Sequence, residues 1–362
     1  MQGLTIGIIG CGLITQVEHL PNLLALGDRF EVIGVADPSA KVMARLAQLY
    51  GVEGFATANE LFDRHPDCVV IATPDAYHVE LVLAALERGI NVFCEKPLCY
   101  IPTDAQRIAA ARDKAGKVVQ VGYMKRFDPA HRALVELLRQ QKSELKAVTV
   151  QVHDPDFWPF VAHRNVFFGD DVPKDLIAEN GRKRAEQVAT ALGFPAFDDR
   201  MKGYAGPLCS SLVHDVNLVN GALAAIGQSI GDPRAAVTHG DSGVAIIART
   251  TGTGALVSMT WQAVPTLAHY SERVTFTFED AIFELCFPSP YLNHQPTSLI
   301  ERRSDGLAYR ETHHRPSYAE GFVDEMIAFH AAVTMQGPAL NTVEDAGADM
   351  TLIAALGKLS LA

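Results

Sequence analysis

The strongest constraint on this chain is its opening: an apolar run, Leu4–Ile9, stops in Gly10-Cys11-Gly12 and passes at once into helical spacing over 17–26. A strand that turns through glycine into a helix begins a parallel βαβ unit. The alternation then repeats. Strand patterns at 31–36, 68–72, 91–94 and 117–121 are separated by helical patterns at 39–50, 77–88 and 103–115. Several of these strands are apolar on both faces, as a sheet covered on both sides requires. The first 125 residues therefore read as a doubly wound α/β domain.

Beyond Gly122 the pattern changes. Segments 147–152, 244–249, 256–261, 273–278, 282–287 and 298–302 read as strands, many in adjacent pairs with Gly or Pro between them. Such pairs build an open, mainly antiparallel sheet. Residues 126–362 are thus expected to form a second, α+β domain. A mixed segment at 153–205, helical near 174–192, interrupts the strand series. Helical patterns at 318–335 and 343–361 finish the chain and are free to pack back on the first domain. At 362 residues, two domains are the default expectation.

The balance of charge narrows the partners. A formal net charge of −11 argues against a nucleic-acid backbone. No apolar run approaches the ~20 residues of a membrane span. The first residues, MQGLTIGIIG, carry no basic leader pattern, and the six cysteines contain no C-x-x-C pair. Buried free thiols in a cytoplasmic protein are the expectation.

Gly10-x-Gly12 with Thr15 in the last position departs by one residue from G-x-G-x-x-G. The first glycine permits the tight turn, and the second lets a pyrophosphate approach the backbone. The helix start at Leu13 and Ile14 then offers N–H groups to the phosphates. Thr15 crowds the helix–strand contact, and its hydroxyl is a candidate phosphate donor. Asp37 ends the second strand 22 residues after Thr15, where a carboxylate accepts from both ribose hydroxyls. The same carboxylate repels a 2′-phosphate, so NAD is expected over NADP. The plainer reading of Asp37 is a turn residue before Pro38.

Lys96 follows the strand at 91–94, at the carboxyl edge where such sheets bind ligands. An ammonium there can hydrogen-bond a substrate hydroxyl and favour an alkoxide. On spacing alone it also fits a surface lysine. In the helical pattern 207–226, Ser210, His214 and Asn217 fall at i, i+4 and i+7 and so share one face of an otherwise apolar helix. His214 suits a general base near neutral pH, although a core histidine satisfied by the backbone fits the same spacing. Asp215 points about 100° away, toward a loop or a neighbouring element. No His/Cys/Asp group has zinc spacing, so no metal is expected. Asp154, Asp156, Trp158, His163 and Arg164 are further candidates for substrate contacts.

Three segments together resemble the Gfo/Idh/MocA family of glucose–fructose oxidoreductase and inositol dehydrogenase relatives. They are GIIGCGLITQ (7–16), ATPDAYHVELVLAALERGINVFCEKPL (72–98) and VGYMKRFDPA (121–130). The resemblance implies a Rossmann domain, a C-terminal open sheet forming the pocket and often the oligomer interface, and a tightly held nicotinamide cofactor. It implies that Lys96 is the catalytic lysine, and that Thr73, Pro74, His78, Glu95 and Pro97 lie near the cofactor. Tyr123 and Arg126 would lie near the nicotinamide, with Tyr123, Ser210, His214 and Asn217 toward the substrate. Sugar-oxidising members carry Asp-x-x-x-His on the pocket helix, where this chain has Ser210-x-x-x-His214.

The expected activity is hydride transfer between NAD(P) and a secondary alcohol or ketone of a sugar, polyol or glycoside, by a homodimer or homotetramer. Two alternatives stay open. One is an enzyme that holds NAD and oxidises a sugar transiently for elimination or epimerisation. The other is a non-catalytic sensor of cofactor or sugar on the same fold.

Overall fold

The computed structural model describes residues 3–362, with the Asp305 side chain left aside; Met1 and Gln2 of the segment read for a leader lie outside the described residues. Contacts divide the chain into two compact units. One holds the residues up to Gly122 together with Val161–Ala196 and Phe322–Met350. The other holds Tyr123–Phe160, Phe197–Gly321 and Thr351–Ala362. The sequence reading assigned residues 126–362 to the second domain, with 153–205 as a mixed segment within it and the C-terminal helices free to pack back on the first. Residues 161–196 group with the first because their contacts are to its helix heads and turns, as detailed below.

The first unit is built on six parallel strands: β1 (Leu4–Ile9), β2 (Phe30–Ala36), β3 (Gly54–Phe55), β4 (Cys68–Ile71), β5 (Asn91–Glu95) and β6 (Val119–Gly122). Their order is β3-β2-β1-β4-β5-β6, so the chain reverses direction across the sheet between β1 and β4, the switch point of a Rossmann fold. Every residue of β4 and β5 is buried, the price of lying at the centre of a sheet with helices on both faces. Ile6, Ile8, Val35, Val70 and Phe93 form one cluster with Met326 and Phe329 of the Gly321–Val333 helix. A late segment thus completes the core of the first unit. Residues 40–50 form a helix because Ser39 accepts from the Val42 N–H at its start and Gly51 ends it at φ +70°.

The second unit holds an eight-stranded sheet: β7 (Leu145–Asp154), β8 (Ile230–His239), β9 (Gly243–Thr250), β10 (Leu256–Ala263), β11 (Ser271–Phe278), β12 (Ala281–Phe287), β13 (Ser298–Asp305) and β14 (Ala308–His314). The order is β14-β13-β12-β11-β7-β10-β9-β8, antiparallel except for the β7–β10 pair. Burial alternates along β7 and β9, so one face is covered and the other open. The Pro129–Gln140 and Val213–Leu223 helices pack together within this unit. Among the described residues the six cysteines form no disulfide; five are buried and Cys286 is half-buried.

Candidate cofactor and substrate site

In the first unit, Gly10 adopts φ +93°, and a Cβ there would run into the Ala72 carbonyl, so the turn after β1 admits only glycine. A Cβ on Gly12 would meet nothing within 4 Å, which leaves an open cradle over the turn. The Thr15 hydroxyl, expected at a phosphate, is instead fully buried and donates to the Gly10 carbonyl at 2.6 Å. A buried hydroxyl must be satisfied, and the turn supplies the nearest acceptor. Thr15 therefore closes the turn from beneath. Leu13 and Ile14 stand half-buried at the head of the helix.

Asp37 reaches back across the switch point. One carboxylate oxygen accepts from the Cys11 N–H (2.8 Å) and the other from the Ser39 N–H (2.9 Å). Each oxygen keeps lone pairs for further donors, such as two vicinal hydroxyls. Thr73 and Pro74 follow β4, and the buried His78 ring ties that turn to the next: Nε2 lies 3.0 Å from the Thr73 carbonyl and Nδ1 2.8 Å from the Pro97 carbonyl. His78 thus orders the loop that carries Lys96, where the sequence reading had it near the cofactor.

Lys96 is half-buried at the end of β5, followed by a cis peptide to Pro97. Glu95, beside it, is buried and accepts from His19 Nε2 (2.8 Å) and from the Lys96 N–H (3.1 Å). Burial pushes the Glu95 carboxyl up, but the His19 bond and the charges of His19 and Lys96 outweigh it and hold the group below its ordinary value. The result is an ionised glutamate under the lysine. His19 is fixed edge-on to Phe93 and Phe322. Glu325 is fully buried, with no hydrogen-bond partner on either carboxylate oxygen among the described residues. Burial, then the charges of Glu95 and Glu18, push its carboxyl well above the ordinary range. His19 and Glu325 carry no motif, and sequence reasoning passed over both.

In the second unit, the 207–226 pattern resolves into three pieces. A π-helical run over Tyr204–Leu212, broken at Gly206, precedes the α-helix Val213–Leu223, and a short 3-10 turn follows. Ser210 is exposed, and its hydroxyl donates to the Gly206 carbonyl at 2.7 Å. His214 is half-buried, with the buried Tyr123 ring edge-on at 6.0 Å, and Asn217 is buried. Arg126 packs over Gly221, where any Cβ would strike its guanidinium. Burial, then the Arg126 charge, push the His131 imidazole down to about 4.

Asp215, the acid next to His214, belongs to a buried charge cluster that was not anticipated. Lys125 Nζ lies 2.7 Å from Glu272 Oε1 and 3.3 Å from Asp215 Oδ1, and Tyr270 donates to Glu272. Burial pushes Asp215 well up against the pull of Lys125, with Glu272 adding to the rise. Lys125 is held up in turn by the two acids, which outweigh its desolvation. Of the other candidates, Asp154 accepts from the Trp261 indole and Asp156 from the Trp158 N–H. Arg164 belongs to the first unit and donates to the Val17 carbonyl.

Residues 4–123 match the family model GFO_IDH_MocA, described as an oxidoreductase family with an NAD-binding Rossmann fold. Inositol 2-dehydrogenase 3 of Saccharopolyspora erythraea is 36% identical over 135 residues, which is 37% of this chain and 40% of that protein. Inositol 2-dehydrogenase of Ralstonia nicotianae is 33% identical over 178 residues, 48% of this chain and 49% of that protein. The aligned part therefore spans about half or less of these relatives. Among solved structures, a 3-ketoreductase from Actinomadura kijaniata, in complex with NADP and TDP-benzene, superposes with a TM-score of 0.73 at 18% identity, covering 98% of this chain and 97% of that one. A UDP-N-acetylglucosamine 3-dehydrogenase from Acidithiobacillus ferrooxidans gives 0.72 at 16% identity, covering 100% and 99%. These likenesses establish the fold over both units. The Rossmann portion, residues 4–123, which carries the glycine turn, Asp37 and the Glu95-Lys96-Pro97 corner, is thus the part of the chain that is similar to the Gfo/Idh/MocA oxidoreductases.

Proposed function

We propose that this protein is an NAD-dependent oxidoreductase acting on a secondary alcohol, or the matching ketone, of a sugar or polyol. The observation that carries the reading is the carboxyl edge of the first sheet. There one unit holds the glycine turn, an Asp37 with both oxygens oriented by backbone N–H groups, and Lys96 seated beside a buried, ionised Glu95. The open cradle at Gly12 and the helix start at Leu13 and Ile14 suit a pyrophosphate, and Asp37 suits the adenosine ribose. When bound, the nicotinamide accepts or supplies the hydride.

The chain's own residues manage charge and protons. In the oxidation direction, His214 accepts the hydroxyl proton. Lys96 donates a hydrogen bond to the same oxygen and stabilises its negative charge while the carbon gives up hydride. In reduction the two roles run backwards. Tyr123 fixes the His214 ring, and Asn217 and Ser210 belong to the same polar stretch. The inositol dehydrogenases among the relatives make a polyol the first substrate class to try.

The test is purified protein with NAD and a panel of inositols, sugars and glycosides, followed at the absorbance of the reduced cofactor. Turnover should fall by about 10²-fold or more in Lys96→Ala. No turnover with any substrate, or equal rates in wild type and Lys96→Ala, would refute the reading.

A further inference from the structure

The segment 161–171 folds back on the first unit, to which it belongs, and touches the heads of two helices there. Arg164 donates to the Val17 carbonyl (2.9 Å). Phe167 and Gln16 exchange a pair of hydrogen bonds, backbone N–H to side-chain oxygen and side-chain N–H to backbone carbonyl, each at 2.9 Å. The segment then arrives beside Asp37. Asp171 accepts from the Ser39 hydroxyl through Oδ1 and from the Lys41 N–H through Oδ2 (3.0 Å). Asp170 lies 2.5 Å from Lys41 Nζ. Gly169 makes the approach possible, since a Cβ there would collide with the Ser39 hydroxyl and with Asp171 itself.

The position of these groups has a chemical meaning. If Asp37 holds the adenosine ribose, as proposed above, the next atoms beyond its 2′-oxygen lie toward residues 39–41. NADP differs from NAD by a phosphate on that oxygen. Its natural partners would be a hydroxyl, a helix-head N–H and an ammonium. This chain supplies all three in Ser39 and Lys41, and satisfies all three with its own carboxylates. The Ser39 bond, ahead of the other effects, holds the Asp171 carboxyl below its ordinary value, so it is an anion at neutral pH. A phosphate arriving there would meet spent donors and two negative charges.

We infer that Asp171, assisted by Asp170, is a built-in stand-in for the 2′-phosphate and sets the preference of this protein for NAD over NADP. The inference rests on the reading of Asp37 as the ribose ligand. Asp37 alone would disfavour NADP. The strap adds a second layer by taking up the groups that a relaxed Asp37 neighbourhood would otherwise offer to phosphate. It also places specificity in a segment far along the chain from the glycine turn.

The experiment measures NADH and NADPH binding by the change in reduced-nicotinamide fluorescence, for wild type, Asp171→Asn and Asp171→Ala. Wild type should bind NADH at least about tenfold tighter than NADPH, one charge-pair's worth of discrimination. Asp171→Ala should tighten NADPH about tenfold and leave NADH within about threefold. The near-isosteric Asp171→Asn should move the same way by less, and it guards against misfolding of the alanine variant. Adding Ser39→Ala to Asp171→Ala should abolish the NADPH gain. Unchanged NADPH binding in both Asp171 variants, equal weakening of both coenzymes, or a wild type that prefers NADPH would overturn the inference. Binding needs no substrate. Selective NADH binding without sugar turnover would therefore refute the proposed reaction alone, and failure to bind either coenzyme would overturn both.

Discussion

Replacing Lys125 by Met tests whether the buried cluster under His214 is held by charge. Lys125, Asp215 and Glu272 are all buried, so the cation is the counter-charge for two acids shielded from water. Methionine keeps the apolar stem and its packing near the Phe287 ring, which the ammonium approaches to 5.5 Å. What is removed is the charge. Deleting one partner of a buried ion pair costs about 3–5 kcal/mol, because the remaining charge is stranded. For a unit of this size that corresponds to roughly 6–20 °C in midpoint, at about 2–4 °C per kcal/mol. The loss should be largest at pH 8 and shrink toward pH 5.5, where proton uptake neutralises Asp215, whose carboxyl is raised by burial. Lys125→Met combined with Glu272→Gln should recover half or more of the loss, because burial already holds the remaining Asp215 well toward its protonated form. Thermal and urea unfolding followed by circular dichroism at the two pH values would measure this. A Lys125→Met loss under about 1 kcal/mol at pH 8, or one that does not change with pH, would refute the reasoning.

Two predictions concern the layer beneath Lys96. The folded Glu325 carboxyl is raised above its ordinary value near 4.5, so its contribution to stability is present below that value and lost as pH climbs toward the folded one. Glu325→Gln should therefore flatten the pH dependence and be more stable than wild type at pH 8, by up to about 1.4 kcal/mol for every tenfold weakening of the folded acid; an unfolding difference equal at pH 5 and pH 8 would exclude this. Glu95 has the opposite sign, since its folded value is depressed and its stabilisation is present above about 4.5 and lost as pH falls. His19→Phe keeps the ring packing but removes the donor, and should cost about 1–3 kcal/mol at pH 7 and less at pH 4, as urea titrations at each pH would reveal.

How far the fold can be read from the sequence depends on whether an element is specified locally. Strands β4 and β5 announce themselves because burial on both faces demands unbroken apolar runs. The Lys174–Leu192 helix is equally plain from its spacing. In the second unit the reading missed β8 and β14, for identifiable reasons. β8 carries Asp232-Pro233, and its register slips on both sides of that pair, which destroys the period-2 signal. β14 is an edge strand, exposed almost throughout, and nothing obliges it to alternate. The allegiance of residues 161–196 was invisible for another cause. It depends on side-chain hydrogen bonds with Gln16, Val17, Ser39 and Lys41, more than a hundred positions away.

The same distinction separates the parts of the candidate site. Gly10, Asp37, Thr73 and Lys96 follow the ends of strands, a placement that the strand pattern alone predicts. It does not predict their supports. His19 reaches Glu95 across 76 positions, Lys125 reaches Asp215 across 90, and Asp171 reaches Ser39 across 132. Each of these is an ordinary residue made specific only by its partner. Ser210 is the instructive intermediate. An α-helical wheel puts it on the face of His214, but the break at Gly206 turns the first stretch into a π-helix, and the Ser210 hydroxyl closes on the Gly206 carbonyl. Asp215, the acid next to His214, is committed to Lys125. The Tyr123 ring stands edge-on to His214, a contact that only the folded second unit creates.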